Sequence, residues 1–459
     1  MKGGNTVVKV ISYIFTFIYT FLASAGIVQN GGNWALDIPA YEGGRICDDV
    51  YLDGSGILSD AEGPTGTESR MELVKFTSAE DYEKYCEGLE SAGYENVYSN
   101  TLGGVSCNAF RYDGKLYYTY FTANTNEVRI IEDNNTRVFE DFGYSSNEGE
   151  GVTVYQFDYP YADFGEHKDE DIYSTNGMMY IIKLADNKLI VIDGGSIRQS
   201  SDKNIDECMK LMRRITGARE GEKVNIALWY GTHGHSDHVT FFYKLIGYYH
   251  SEINLERAMF NYPSLSLVEH DERIDMYRNR LGELCPDVQY LCPHTGMSFN
   301  IANAQIDVLY TQEDAVNALT GKTPVDNAND GSTVCRITAA GKRFLVTGDI
   351  NLLAQDKILS IHDKAEIKCD VLQAPHHLYN AVAVIYDYAG ADYVLCPMSE
   401  GRGAWLPGNA SARLFYGKNQ MLYAGNAMYI IEMNTDGLTL TQDRTDCVPY
   451  DGSSMNGVH

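Results

Sequence analysis

The sequence predicts an α/β protein: a four-layer αββα sandwich preceded by a small α+β unit. Three observations carry this reading. From Val152 to the C-terminus, apolar strand-length runs and amphipathic helical stretches alternate, and the strands fall into two groups with helices to cover them. Before that point the texture differs, with a Gly- and Asp-rich lead-in, one helix and an alternating meander. Charge divides the chain in the same way. The whole has a net charge of −27, and residues 26–150 carry 23 acidic against 8 basic side chains, so more than half of the excess sits on the N-terminal third.

Taken in order, residues 1–25 have Lys2 and Lys9 before an apolar stretch and end in Ala23-Ser24-Ala25, a small-x-small pattern. This reads as a signal peptide or membrane anchor and predicts a secreted or cell-surface protein, with a cytoplasmic one as the alternative. Residues 26 to about 70 read as loops. Ser78 caps a helix running to about Ala92, and strands follow at 96–101, 105–112, 115–122 and 127–132, with Asp113-Gly114 as a hairpin turn. Tyr144–Gly151 reads as a linker, so that residues 26–150 form an acidic α+β domain, 151–445 the sandwich and 446–459 a tail. In the sandwich, helices are expected at 202–215, 239–249, 264–284, 352–362, 381–388 and 410–416.

Composition and missing motifs exclude several functions. An acidic surface repels phosphate backbones, so extended nucleic acid is disfavoured as a partner. No later apolar segment is long enough to span a bilayer, and no transmembrane partner is implied. The ten cysteines include no CxxC pair, and Cys208, Cys335, Cys369 and Cys396 fall at core positions. Gly194-Gly195 opens neither a GxxxxGK[ST] nor a GxGxxG loop, and no GxSxG elbow occurs.

The informative segment runs from Asn225 to Val239. An apolar strand ends, and Thr232-His233-Gly-His235-Ser-Asp237-His238 supplies three imidazoles and a carboxylate within six residues. His233 and His235 alternate as strand-end residues do and can face one point. Asp237 and His238, where the next helix starts, can face a second point beside it. Imidazole plus carboxylate suits Zn, Mn or Fe, and a pair of such sites polarises a bridging water.

With its HxHxDH loop, this segment resembles the metallo-β-lactamase superfamily. The resemblance extends to Asp193, which ends the strand Leu189–Asp193, to Asp349 in Phe344–Asp349, and to His376-His377 after Val371–Gln373. It implies the metallo-β-lactamase sandwich, a hydrolase, and two divalent metal ions, Zn or Mn, with the second site partial. The implied ligands are His233, His235, Asp237, His238, Asp349 and one of His376 and His377, with His376 preferred as nearer the strand end. Asp193 is implied to orient a ligand histidine. Asp237 or Asp349 would accept the proton of the attacking water.

One position departs from the family pattern. Its Gly-His-Thr turn is absent, and Asn327-Ala-Asn329-Asp330-Gly-Ser332 stands in its place, making Asn329 or Asp330 the substitute ligand. An oxygen there favours Mn over Zn. The alternative is that His294, in Pro293-His294-Thr295-Gly296, swings in. This arrangement is similar to the hydrolase domains of bacterial competence DNA-uptake proteins and to choline-phosphate esterases. It implies a small-molecule substrate with a phosphodiester or related ester bond. Lactone, thioester or β-lactam hydrolysis is the alternative, as is a surface binding protein with a relic site.

Overall fold

The structure is a computed structural model that describes residues 34–47, 50–52, 69–133, 149–157, 177–262, 281–315, 328–424 and 427–443. The readings for residues 1–25, for most of the linker and of the helix at 264–284, and for the tail lie outside these residues. Among the described residues no helix is long and apolar enough to cross a membrane.

The N-terminal unit is an antiparallel sheet. Its strands are β1 (Arg45–Ile46), β2 (Val50–Leu52), β3 (Ser69–Lys75), β4 (Glu95–Leu102), β5 (Val105–Tyr112), β6 (Lys115–Thr122) and β7 (Glu127–Asp133), ordered β1-β3-β7-β6-β5-β4 with β2 also beside β3. Asp113 and Gly114 both have positive φ, 48° and 77°, which gives the expected tight hairpin between β5 and β6. Helix α1 (Ala79–Ser91) starts where the Ser78 hydroxyl accepts from Asp81 N, and buries Tyr82, Tyr85 and Leu89 against Phe110, Tyr117, Phe121 and Ile130. Strand β3 falls partly in a stretch read as loop. Its alternation is masked by Glu72, a fully buried carboxylate that accepts from Ala35 N.

The sandwich follows. One sheet contains β8 (Val152–Gln156), β9 (Met179–Lys183), β10 (Leu189–Asp193), β11 (Val224–Tyr230), β12 (Ile253–Leu255), β13 (Arg257–Met259), β14 (Gln289–Leu291), β22 (Met428–Asn434) and β23 (Gly437–Asp443). The other runs β15 (Ser298–Ile301), β16 (Ala304–Tyr310), β17 (Val334–Ala339), β18 (Lys342–Val346), β19 (Val371–Gln373), β20 (Tyr393–Cys396) and β21 (Met421–Tyr423) in spatial order. Ile182, Ile190, Ile192 and Leu228 of the first sheet share one core with Val308, Cys335, Ile337 and Phe344 of the second.

Helices cover both outer faces. On the first sheet lie α2 (Asp202–Thr216), capped by the Ser201 hydroxyl and ended by left-handed Gly217, and α3 (Ser236–Tyr249). On the second lie α4 (Leu352–Ile361) and α6 (Ala383–Ala389), with the short α5 (Lys364–Ile367) between them in the chain. The four-layer α/β sandwich expected from the sequence is therefore present.

The free face of the N-terminal sheet joins the same inter-sheet core through Met71, Leu73, Val105, Tyr118 and Ile131. Polar contacts cross the seam: Asn100 Nδ2 donates to Gly296 O at 2.8 Å, Arg129 Nε to Glu313 O at 2.9 Å, and Lys357 Nζ lies 2.8 Å from Glu127. The acidic unit is packed onto the sandwich over a buried, charged seam.

Candidate metal centre

Parallel neighbours β10 and β11 and parallel neighbours β18 and β19 bring their C-terminal ends to one place. Asp193 ends β10, the His233–His238 loop follows β11, Asp349 follows β18, and His376-His377 follows β19. Four segments spread from Asp193 to His377 thus supply one cluster of side chains.

Asp349 is its centre. Its Oδ2 lies 3.1 Å from His238 Nε2, 3.2 Å from His377 Nε2, and 4.0 Å from the Nε2 atoms of both His233 and His376. Its Oδ1 is buried with no hydrogen-bond partner. The approach is possible because Gly348 precedes it at φ +56°; a Cβ there would stand 2.9 Å from both Ser332 Cβ and Thr232 Cβ. Ser332 Oγ accepts from Asp349 N at 3.1 Å.

Four of the imidazoles are held by their other nitrogen. His238 Nδ1 is 2.6 Å from Asp193 Oδ2, His377 Nδ1 is 2.8 Å from Pro397 O, His376 Nδ1 is 2.8 Å from Asn351 Oδ1, and His233 Nδ1 is 3.2 Å from Thr232 Oγ1. Asp193 is anchored in turn, its Oδ1 accepting from Thr232 N and its Oδ2 from Thr232 Oγ1. This leaves the Nε2 atoms of these four rings turned inward, the arrangement that ligand histidines need.

The ligating atoms form two overlapping triads, His233–His238–Asp349 and Asp237–His238–His377. His238 is common to both, where the sequence pairs it with Asp237 alone. Asp237 Oδ2 is 3.7 Å from His377 Nε2, and with about a quarter of its side chain exposed it faces the mouth of the site. His235 is the residue before α3, with Nδ1 3.0 Å from His233 Nε2.

Burial sets the electrostatics. It pulls the His233 imidazole well below its ordinary range, with His238 and His235 adding to the effect. It does the same, less strongly, to His376. For His238 and His377 burial acts the same way, but Asp349 outweighs it (helped at His238 by Asp193) and both shift upward. Burial raises the Asp349 carboxyl, yet His238 and His377 more than reverse this and hold it well below the carboxylate range. His238 and His377 thus favour positive charge beside a buried anion, whereas His233 and His376 favour the neutral ring.

Three sequence expectations change. The preference for His376 gives way to His377, the one within 4 Å of Asp237, His238 and Asp349 together. His376 also reaches in, with Nε2 3.3 Å from Asn329 Nδ2, so both histidines and Asn329 border the cluster. Asp330 faces away from it, because Oδ1 accepts from Asn351 N and Ala354 N and caps α4. His294 does not swing in. It is buried elsewhere, with Nδ1 2.8 Å from Glu313 Oε1. Sequence reading missed Thr232, Ser332, Asn351 and the Pro397 carbonyl. The first three flank the quoted motifs, whereas a backbone carbonyl leaves no sequence signal.

No protein-family model matches the sequence, and no curated protein matches it. Among solved structures it is similar to the metallo-β-lactamase fold protein YhfI from Bacillus subtilis, at 12% identity over 62% of this chain and 100% of that one, with a TM-score of 0.37. It is similar to a diphosphatase of the PhnP family, at 11% identity over 65% and 99%, with a TM-score of 0.34. It is also similar to Tm1679, a metal-dependent hydrolase of the β-lactamase superfamily, at 13% identity over 60% and 97%, again with a TM-score of 0.34. At these scores the chemistry has to be read from the site itself.

Proposed function

We propose that this protein is a metal-dependent hydrolase acting on a phosphodiester or related ester. The observation that carries the reading is the convergence of four imidazole Nε2 atoms within 4.0 Å of one Asp349 oxygen whose partner oxygen is buried without a hydrogen bond. A buried carboxylate ringed by inward-facing nitrogens is costly without a cation at its centre. The donor set of imidazole and carboxylate fits Zn or Mn, held by His233, His238, Asp349, Asp237 and His377, with His235, His376 and Asn329 at the margin. Divalent ions bound there supply an acidified water and a Lewis acid for the ester oxygen.

The chain's own residues do the rest. Asp193, Pro397 O and Asn351 fix the ring orientations, so no reorganisation is needed when substrate arrives. Asp237, partly exposed, is placed to accept a proton at its carboxylate from an attacking water. The buried walls formed by His233, His377 and Thr232 exclude bulk water from the reacting side.

The test is metal stripping, reconstitution with Zn or Mn, and assay on chromogenic phosphodiester, lactone, thioester and β-lactam substrates. Metal-dependent phosphodiester turnover that disappears in Asp349→Ala supports the reading. Turnover confined to lactone or β-lactam keeps the hydrolase and removes the substrate class. A fully metal-loaded protein inert on the whole panel favours a relic site.

A further inference from the structure

We propose a second metal site, separate from the histidine cluster, in which Asp133, Cys292 and His294 hold a zinc-like ion that clips the N-terminal sheet to the sandwich. All three residues are buried, and their ligating atoms lie within 4.8 Å of one another. Asp133 ends β7 of the N-terminal sheet, whereas Cys292 and His294 follow β14 of the sandwich, so the set spans the seam between the two.

The surroundings orient each donor. His294 Nδ1 is 2.8 Å from Glu313 Oε1, which fixes the ring proton on that side and leaves Nε2 toward Asp133 Oδ2, 3.4 Å away. Glu313 is itself held by Asn261 Nδ2 at 2.6 Å and by the Thr311 hydroxyl. Ser69 Oγ donates to Asp133 Oδ1 at 3.2 Å, and Oδ2 is the oxygen on the His294 side. A carboxylate behind a histidine is the support that zinc ligands recurrently have. Ligands around tetrahedral zinc stand about 3.3–3.7 Å apart, so the Asp133–His294 edge already fits and the sulfur has only a short distance to close. Thiolate, imidazole and carboxylate together select Zn over Mg, Ca or Mn.

The competing arrangement is a metal-free ion triad, with a proton on His294 shared between Glu313 and Asp133. Sulfur separates the two, because none of the residues of the histidine cluster is a cysteine. The full-length protein is stripped of metal and titrated with Co²⁺. A thiolate-to-cobalt charge-transfer band in the near ultraviolet, lost in Cys292→Ser but kept in Cys208→Ala, is expected. Loss of one equivalent of zinc from Cys292→Ser by elemental analysis is expected with it. Absence of the thiolate band in the unaltered protein overturns the site, whether or not cobalt enters the histidine cluster and whether or not Cys292→Ser folds. Catalytic activity plays no part in this readout, so failure of the hydrolase reading and failure of this one are distinguishable.

Discussion

Replacing Asp193 by Asn isolates the tautomer of one ligand histidine. Asp193 has φ +54°, a left-handed conformation that Asn tolerates nearly as well, so backbone strain is unchanged. The amide oxygen must stay on Thr232 N, because that donor, 2.7 Å from Oδ1, cannot be reversed. The amide NH₂ then takes the place of Oδ2 and meets His238 Nδ1 at the 2.6 Å position. In the neutral ring that binds metal, Nδ1 is forced to accept, which moves the ring proton to Nε2, the atom facing Asp349 Oδ2 at 3.1 Å. A protonated Nε2 cannot ligate until that bond is broken. Loss of such an orienting carboxylate weakens metal binding about 10–100-fold, or about 1.4–2.8 kcal/mol. Competition against a chromogenic chelator measures the affinity, and ¹⁵N spectra of the histidine rings report the tautomer. Asp193→Ala differs, because it also strands the buried Thr232 N–H, at about 1–3 kcal/mol of stability visible as a lower Tm in EDTA. Unchanged affinity in Asp193→Asn, with Nε2 still unprotonated, would refute the reasoning.

Three further outcomes are expected. Asp330→Ala should cost about 1 kcal/mol through loss of the α4 cap and lower Tm with metal content unchanged, whereas Asn329→Ala should leave Tm and disturb metal binding; the reverse pattern would restore Asp330 as a ligand. Gly348→Ala adds a Cβ 2.9 Å from two others at φ +56° and should destabilise by about 1–3 kcal/mol or more, read by denaturant unfolding; a neutral result would show that the turn can relax. Burial raises the Glu127 carboxyl, but Arg129, Lys357 and Lys75 together hold it well below the usual range. Its stabilising effect is then complete above the unfolded value of about 4.3 and is lost as pH falls toward the lower folded one. Acid unfolding should therefore steepen below about pH 4, and Glu127→Gln should be less stable at neutral pH, with a flatter acid limb in its Tm–pH curve.

The sandwich was legible because long alternating runs and amphipathic helices have few competing readings, and the HxHxDH loop was legible because its ligands lie within six residues. What failed had local causes. Strands of three or four residues, such as β12, β15 and β21, are too short for a period to show. Asp330 and Asn329 are adjacent and chemically alike, and only the position of α4 decides that one caps a helix while the other meets His376. His294 looked like a stray ligand because its partners, Asp133 and Glu313, are 161 and 19 residues away.

The His376-His377 pair shows how folding resolves what spacing leaves open. Adjacent residues in a strand point to opposite faces and in a helix diverge by about 100°, so a sequence reading expects only one of two neighbouring histidines to reach a site. Here His376, His377 and Leu378 have φ of 45°, 47° and 67°, a left-handed run of three non-glycine residues. Each such residue costs about 1–3 kcal/mol and persists only where its surroundings over-determine it. They do so here. His376 N donates to Gly348 O, Tyr379 N to His376 O at 2.7 Å, His377 Nδ1 is tied to Pro397 O, and His376 Nδ1 to Asn351. Gly408 packs so closely that a Cβ there would stand 2.4 Å from Leu378 O. The left-handed turn brings both imidazoles to the same carboxylate oxygen, His377 at 3.2 Å beside Asp237 and His376 at 4.0 Å on the side of Asn329. The second histidine of the pair thus completes the Asp237–His238–His377 triad, while the first brings a nitrogen to Asn329 at the margin of the cluster.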